Sequence, residues 1–98
     1  MAPITDDQVE LVRGLVASIP RGRVATYGDI ASAAALSSPR IVGWIMRTDS
    51  SDLPWHRVIT ASGRPAAHLA TRQLELLRAE GLLASDGRID LTAARHVF

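Results

Sequence analysis

The sequence predicts a mainly α domain with short strands, in the winged-helix-like helix-turn-helix class of DNA-binding domains. Two short helical segments flank a Ser-rich turn at 37–39, which is the pattern of a helix-turn-helix. Near the C-terminal end, a turn signal precedes a short β-branched segment that is typical of a small wing. The chain has 98 residues, 47% of them hydrophobic and 21% charged, so we expect one globular domain spanning 1–98.

The first helix is predicted to begin after Thr5, because Thr5 and Gln8 have the spacing of a capping box. An apolar face then recurs at helical spacing over the next three turns, which predicts one buried side. Pro20 and Gly22 end this helix, since neither continues a regular helix. The residues of the apolar face are Val9, Val12, Val16 and Ile19.

The helix-turn-helix is predicted from two further helix starts. Thr26 caps a second helix that begins at Tyr27, has Asp29 at the third position and runs to about Leu36. Ser38 caps a third helix, from about 40 to 47, and Pro39 occupies the first position, where its missing N–H is harmless. A short extended segment at 23–25 precedes the pair.

The C-terminal half is predicted to hold one more helix and a wing. A polar loop at 48–53 leads into a short extended run at 54–59. The fourth helix is expected from Thr71 to Glu80, with Leu74 and Leu77 facing inward, Leu76 as a further candidate for that face, and Gly81 terminating the helix. Asp86-Gly87 is a turn signal, after which 88–91 is predicted as a strand that closes the wing.

Charge and composition exclude several classes of protein. The chain contains no cysteine, which rules out disulfides, thiolate metal sites and a catalytic thiol. No apolar run reaches a membrane-spanning length and no signal sequence is evident, so we expect a soluble cytoplasmic protein without membrane association.

All 11 basic residues are arginine, and they cluster in the middle of the chain with Asp29 as the one acid between 11 and 48. A basic middle with acidic ends favours a polyanionic partner.

Chemical motifs are sparse. His56, His68 and His96 have no spacing that predicts a metal site, so neither metal nor cofactor is expected. No serine lies in a nucleophile elbow. Trp55, between Pro54 and His56, is either a core residue or an aromatic wall of a pocket. Phosphate contacts are expected from arginines, for which the candidates are Arg21, Arg23, Arg47, Arg57 and Arg72.

Three motifs and one further residue pair resemble sequences of the O6-alkylguanine-DNA alkyltransferases. The segment 54–59, PWHRVI, is similar to their Pro-Cys-His-Arg-Val active-site motif, with Trp55 where the alkyl-accepting cysteine belongs. Segment 20–31 resembles their stretch around Tyr-Gly, and 39–47 resembles their recognition helix. Glu80-Gly81 matches the pair that ends their next helix. The resemblance covers about 6–83, and the tryptophan together with the short length points to the alkyltransferase-like subgroup.

The resemblance implies roles for particular residues. Tyr27 matches the tyrosine that presses on the backbone, and Arg40 matches the arginine that fills the vacated place in the base stack. Arg47 is placed with them at the DNA interface. Pro39, Ile41 and Gly43 match small residues at the minor-groove floor, although Ile41 and Trp44 are bulkier than usual there. The residues expected at the lesion pocket are Trp55, His56, Arg57, Arg64, His68 and Glu80, with Arg64 and His68 as alternative contacts to the alkylated oxygen.

The resemblance further implies a non-enzymatic damage sensor that binds O6-alkylguanine in double-stranded DNA and hands it to nucleotide excision repair proteins. A monomer that associates with the nucleoid when bound to DNA is expected. Two alternatives remain open at this point. One is a general winged-helix regulator without lesion preference. The other is a metal-free nuclease or glycosylase that would use Glu80 or Asp49 as its general base.

Overall fold

The computed structural model describes residues 4–98. Five α-helices are present in this part of the chain: α1 Asp6–Ala17, α2 Tyr27–Ala33, α3 Pro39–Thr48, α4 Ala70–Ala79 and α5 Leu91–Ala94. Two short strands, β1 Ala25–Thr26 and β2 Val58–Ile59, pair in parallel with Ala25 opposite Val58 and Thr26 opposite Ile59. Turns of 3₁₀ helix at Trp55–Arg57 and Ala67–Leu69 precede β2 and α4. The mainly α class with a central helix-turn-helix is therefore confirmed.

The predicted helix starts are confirmed by their caps. The Thr5 side chain accepts from the Gln8 N–H, while the Gln8 side chain accepts from the Thr5 N–H. Thr26 and Asp29 form the same reciprocal pair at the start of α2. Ser38 accepts from the Arg40 N–H at the start of α3. Each cap supplies partners to N–H groups that a helix leaves unpaired.

Helix α2 ends earlier than predicted, at Ala33 rather than Leu36. The reason is a left-handed turn at Ala35, whose φ is 55°. This turn lets the Leu36 N–H bond to the Ala31 carbonyl, which closes the helix end in the way a glycine usually does. Gly81, with φ of 89°, terminates α4 as predicted.

The predicted strand over 88–91 is wrong. The wing is reduced to one antiparallel bridge between Ser85 and Arg88, which closes a turn with positive φ at both Asp86 and Gly87. Beyond it the Ile89 N–H bonds to the Gly63 carbonyl, and Asp90 then caps the short helix α5. Of the predicted strand only Arg88 pairs, in that single bridge, and the chain enters α5 at Leu91.

Two groups of buried apolar residues form the core. The larger one packs α1 against the helix-turn-helix and includes Val12, Val16, Ile30, Val42 and Ile45. The smaller one joins Val24 and Ile59 to α4 and the C-terminal segment through Leu77, Ile89 and Ala94. The strands lie between the two groups, so they fix α2 relative to the 3₁₀ turn at Trp55. No helix in 4–98 is long and apolar enough to span a membrane.

Candidate functional site

A cavity of about 700 Å³ lies between the helix-turn-helix and the segment around Trp55. Its size is within the range of pockets that enclose a small organic ligand. Aromatic and basic side chains dominate its walls, together with small polar groups. The lining residues are Tyr27, Arg40, Gly43, Trp44, Met46, Arg47, Thr48, Ser50, Ser51, Trp55, Ala66, His68, Leu69 and Gln73.

Helix α3 forms one wall. Arg40, Trp44 and Arg47 lie on one face because they are spaced by four and three residues. Gly43 lies between them, and a Cβ added there would meet no atom within 4 Å. The missing side chain therefore leaves room in the cavity rather than relieving a packing clash.

Tyr27 also lines the cavity and is positioned by its place in the chain. It is the first residue of α2 and follows directly on β1, so the capping pair of Thr26 and Asp29 fixes its backbone. Burial raises the pKa of the Tyr27 phenol. The phenol is protonated at neutral pH even without this shift, so the hydroxyl is available as a hydrogen-bond donor.

The loop after α3 is held by an arginine from α1. Arg13 donates to the Asp49 carbonyl oxygen at 2.8 Å and to Asp52 Oδ2 at 2.6 Å. It also forms an ion pair with the Asp49 carboxylate at 3.1 Å. These bonds fix the loop that carries Ser50 and Ser51 into the cavity wall.

Trp55 is half-buried in the 3₁₀ turn that precedes β2. The backbone N–H of Trp55 donates to the Leu53 carbonyl at 2.7 Å, and the backbone N–H of Arg57 donates to the Pro54 carbonyl at 3.0 Å. The His56 ring meets the indole edge-on, with ring centres 6.0 Å apart. The indole thus presents a fixed surface to the cavity.

Behind Trp55, Glu80 holds three other groups. His56 Nε2 lies 2.5 Å from Glu80 Oε2, and Arg57 Nε donates to Glu80 Oε1 at 3.0 Å. The Gly22 N–H donates to the same carboxylate at 2.8 Å. Burial acts to raise the pKa of Glu80, but the hydrogen bonds from Arg57, Gly22 and His56, with the Arg57 charge, outweigh it and lower the pKa to about 2.

The structure places the predicted pocket residues in three different locations. Trp55 and His68 line the cavity, whereas His56, Arg57 and Glu80 form the cluster behind the indole. Arg57 is enclosed there, since it also donates to the Ile19 carbonyl at 3.0 Å, so it does not present a free guanidinium to a phosphate. Arg64 lies at the wing turn, where it donates to the Asp86 carbonyl at 3.1 Å.

Of the predicted DNA-contact residues, some line the cavity and others do not. Tyr27, Arg40, Gly43 and Arg47 line the cavity. Pro39 is exposed at the first position of α3, and Ile41 packs partly against the larger core group.

Two residues that sequence reasoning left without a role belong to this cavity. Trp44 is 46% exposed, although it is among the largest apolar side chains. Its signal in the sequence is its position four residues after Arg40, on the same helix face. Gln73 is 2% exposed. Its signal is its position four residues before Leu77, on the inward face of α4, where a polar side chain requires partners.

The comparisons with known proteins agree with this arrangement. Residues 8–82 match the family described as 6-O-methylguanine DNA methyltransferase, DNA binding domain. The chain is 42% identical over 89 residues to the DNA base-flipping protein of Escherichia coli strain K12, and this match covers 83% of this chain and 67% of that protein. It is 36% identical over 84 residues to Alkyltransferase-like protein 1 of Schizosaccharomyces pombe, covering 79% of this chain and 78% of that protein.

A solved structure extends the likeness to the whole fold. It is the crystal structure of S. pombe Atl1 in complex with damaged DNA containing O6-carboxymethylguanine. The two structures agree with a TM-score of 0.82 at 30% sequence identity, and the match covers 96% of this chain and 98% of that one. Because residues 8–82 match the family model and the fold is shared, the chain belongs to the family of the 6-O-methylguanine DNA methyltransferase DNA-binding domain.

Proposed function

We propose that this protein is a non-enzymatic sensor of O6-alkylguanine in double-stranded DNA. It binds through the minor groove, turns the modified base into the cavity and leaves the alkyl group in place. The observation that carries the proposal is the cavity, which is lined both by residues of the helix-turn-helix and by the indole of Trp55. The chain has no cysteine that could accept an alkyl group. The relatives named for base flipping, and the complex of S. pombe Atl1 with damaged DNA, support it.

The chemistry of the cavity supports binding without transfer. Removing an alkyl group from the guanine oxygen requires a strong, soft nucleophile such as a thiolate, and an indole is not one. The Glu80 carboxylate, with a pKa of about 2 and three groups bound to it, is too weak a base to activate water at neutral pH. Asp49 is tied to Arg13 on the outside of the loop. These contacts oppose the enzymatic alternative, whether Glu80 or Asp49 is taken as its general base.

Four side chains at the cavity carry the proposed binding. Arg40 enters the base stack in place of the extruded nucleotide, and Tyr27 presses on the adjoining phosphate. Trp55 covers the extruded base and its alkyl group. His68 is the proposed donor to the alkylated oxygen, because it lines the cavity whereas Arg64 is engaged at the wing turn.

The partners follow from the same proposal. A sensor that does not remove the lesion must pass it to another system, and we propose nucleotide excision repair proteins for that step. We further propose that the protein acts as a monomer in the cytoplasm, at the nucleoid when bound to DNA.

One titration tests the function. Two duplexes that differ by a single O6-methylguanine are titrated with the protein, and protein and DNA are then weighed by mass spectrometry. We expect tighter binding to the modified duplex and no change of mass in either component. Equal affinity for both duplexes would identify a general DNA-binding protein. A methyl group gained by the protein, or a lesion lost from the DNA, would identify an enzyme.

A further inference from the structure

Arg13 connects helix α1 to the loop 49–53 that follows α3. Its Nη1 donates to the Asp49 carbonyl at 2.8 Å and to Asp52 Oδ1 at 3.0 Å, and its Nη2 donates to Asp52 Oδ2 at 2.6 Å. The guanidinium thus holds the Asp52 carboxylate with both of its ends and the C-cap residue of α3 through its backbone. A contact of this kind fixes the geometry of its partners, which a single ion pair does not.

The other hydrogen bonds of loop 49–53 are local. The Leu53 N–H donates to the Ser50 carbonyl at 2.9 Å, and the Ser50 hydroxyl donates to the Met46 carbonyl. Leu53 also packs partly against the larger core group, which anchors the far end of the loop. In the part of the chain that the structure describes, Arg13 is the one distant residue that donates hydrogen bonds to this loop, from 36 and 39 residues away.

This loop joins two parts of the site that must keep a fixed separation. Helix α3, with Arg40 and Arg47, ends just before the loop, and Trp55 follows shortly after it. Two serines of the loop itself, at 50 and 51, line the cavity. Arg13 is not among the described lining residues, so it acts on the site through the loop and not by contact with DNA.

The two kinds of DNA binding depend differently on the loop. Phosphate contacts from α3 need only the helix, which Val42 and Ile45 hold in the core. Covering an extruded base also needs the indole of Trp55 at a set distance from α3. A loop that is ordered before binding removes an entropic cost from this second step alone.

We infer that Arg13 is a positioning residue for lesion preference, which holds loop 49–53 in its binding conformation before DNA arrives. The inference rests on the proposed function. It concerns the order of the free protein and adds no contact to the base.

The test measures lesion preference, defined as the ratio of affinities for duplexes with and without one O6-methylguanine. Arg13→Ala removes the bonds from α1, Asp52→Asn removes the charged partner on the loop, and a double variant combines them. Arg78→Ala is the control for the lost charge, because Arg78 is exposed and does not line the cavity. Val12→Ala is the control for lost stability, because Val12 is a fully buried core residue beside Arg13 in α1.

We expect Arg13→Ala to lower the lesion preference about fivefold, while its affinity for plain duplex falls no more than that of Arg78→Ala. Neither control should change the preference. Asp52→Asn should lower it by less, because Arg13 keeps its bonds to Asp49. The double variant should fall no further than Arg13→Ala, because the Asp52 side chain bonds to Arg13 and the two losses are one interaction.

An unchanged preference in Arg13→Ala would overturn the inference, and so would additive losses in the double variant. An equal fall in Val12→Ala would also overturn it, since stability alone would then set the preference. If circular dichroism shows that Arg13→Ala does not fold, Asp52→Asn decides, and an unchanged preference in that variant refutes the role of Arg13. A wild-type protein without lesion preference contradicts the proposed function instead, so the two failures are distinguishable.

Discussion

At the scale of single residues, we propose that Trp55 determines which bases the cavity distinguishes. Guanine and O6-alkylguanine share their phosphate and sugar contacts, so those contacts cannot separate them. The alkyl group adds apolar surface, and burying it against an indole is worth about 0.8 kcal/mol per CH₂ group. Stacking on the base adds about 1–3 kcal/mol. The half-buried indole at the cavity wall is placed to supply both.

Trp55→Ala should therefore weaken binding to the modified duplex by about tenfold or more, and binding to plain duplex by about twofold at most. Matched titrations of both duplexes measure this, with the fold checked by circular dichroism. An equal loss on the two duplexes would show that the indole serves only the packing of the 3₁₀ turn.

The Glu80 cluster gives a second prediction at this scale, on the pH dependence of stability. The pKa of Glu80 is lowered from 4.5 to about 2 in the folded protein. A lowered pKa contributes stability above the unfolded value, and this contribution is lost as the pH falls from about 4.5 to about 2. Its size is on the order of 3 kcal/mol.

Glu80→Gln should remove that part of the acid sensitivity and lower the free energy of unfolding at neutral pH. Urea titrations of both proteins between pH 2 and pH 7 measure it. Glu75→Gln is the control, because the Glu75 side chain is 63% exposed and its contact with Arg72 is long, at 3.8 Å. If wild type and Glu80→Gln lose stability in parallel below pH 4.5, the low pKa of Glu80 is refuted.

At the scale of elements, α3 combines a binding face with a packing face. Val42 and Ile45 are buried in the core, while Arg40, Trp44 and Arg47 line the cavity. Arg40 lies in the first turn, near the Ser38 cap, so its side chain is carried by a rigid start of the helix.

Arg40→Ala should abolish the fluorescence rise of a 2-aminopurine placed beside the lesion, because nothing then fills the gap in the base stack. Tyr27→Ala should reduce the same signal. Arg78→Ala is the matched control, since Arg78 is an exposed arginine of α4 that does not line the cavity. A full signal from Arg40→Ala would remove the intercalating role of Arg40.

The elements also show how far the sequence could predict this protein. Helix starts were predictable because Thr26-Asp29 and Ser38-Pro39 make local contacts that depend on a few neighbouring residues. The end of α2 was not, since it depends on Ala35 adopting a left-handed conformation that glycine usually supplies. The wing was predicted as a strand from the local pattern at 86–91. That pattern does not show the bond from the Ile89 N–H to the Gly63 carbonyl, because the two residues are distant in sequence.

The same distinction holds for the candidate site. Trp55 and Arg40 were found through motifs, which are local in the chain. The assignment of Gln73 to the cavity depends on its bonds to the His56 and Val58 carbonyls, which lie 17 and 15 residues away. The position of Arg64 likewise depends on the Asp86 carbonyl, 22 residues away. Periodicity could place Gln73 on the inward face of α4, but it could not show what that face meets.

At the scale of the whole molecule, the site is assembled from segments that only the tertiary structure brings together. Tyr27 follows β1 directly, and Trp55 lies just before β2. The two strands pair through only two residues each, and all four residues are buried. Arg13 adds a second tie, from α1 to the loop beside the cavity.

The parallel direction of this strand pair has a kinetic consequence. Parallel strands cannot be joined by a tight turn, and here the helix-turn-helix is itself the crossover between them. The strands can meet only after the intervening helices have closed a long loop, which is a slow, non-local step of folding. The base-binding cavity therefore forms together with the core and not before it. A partly folded chain has helices and arginines but no site, so recognition of a damaged base is a property of the native state alone.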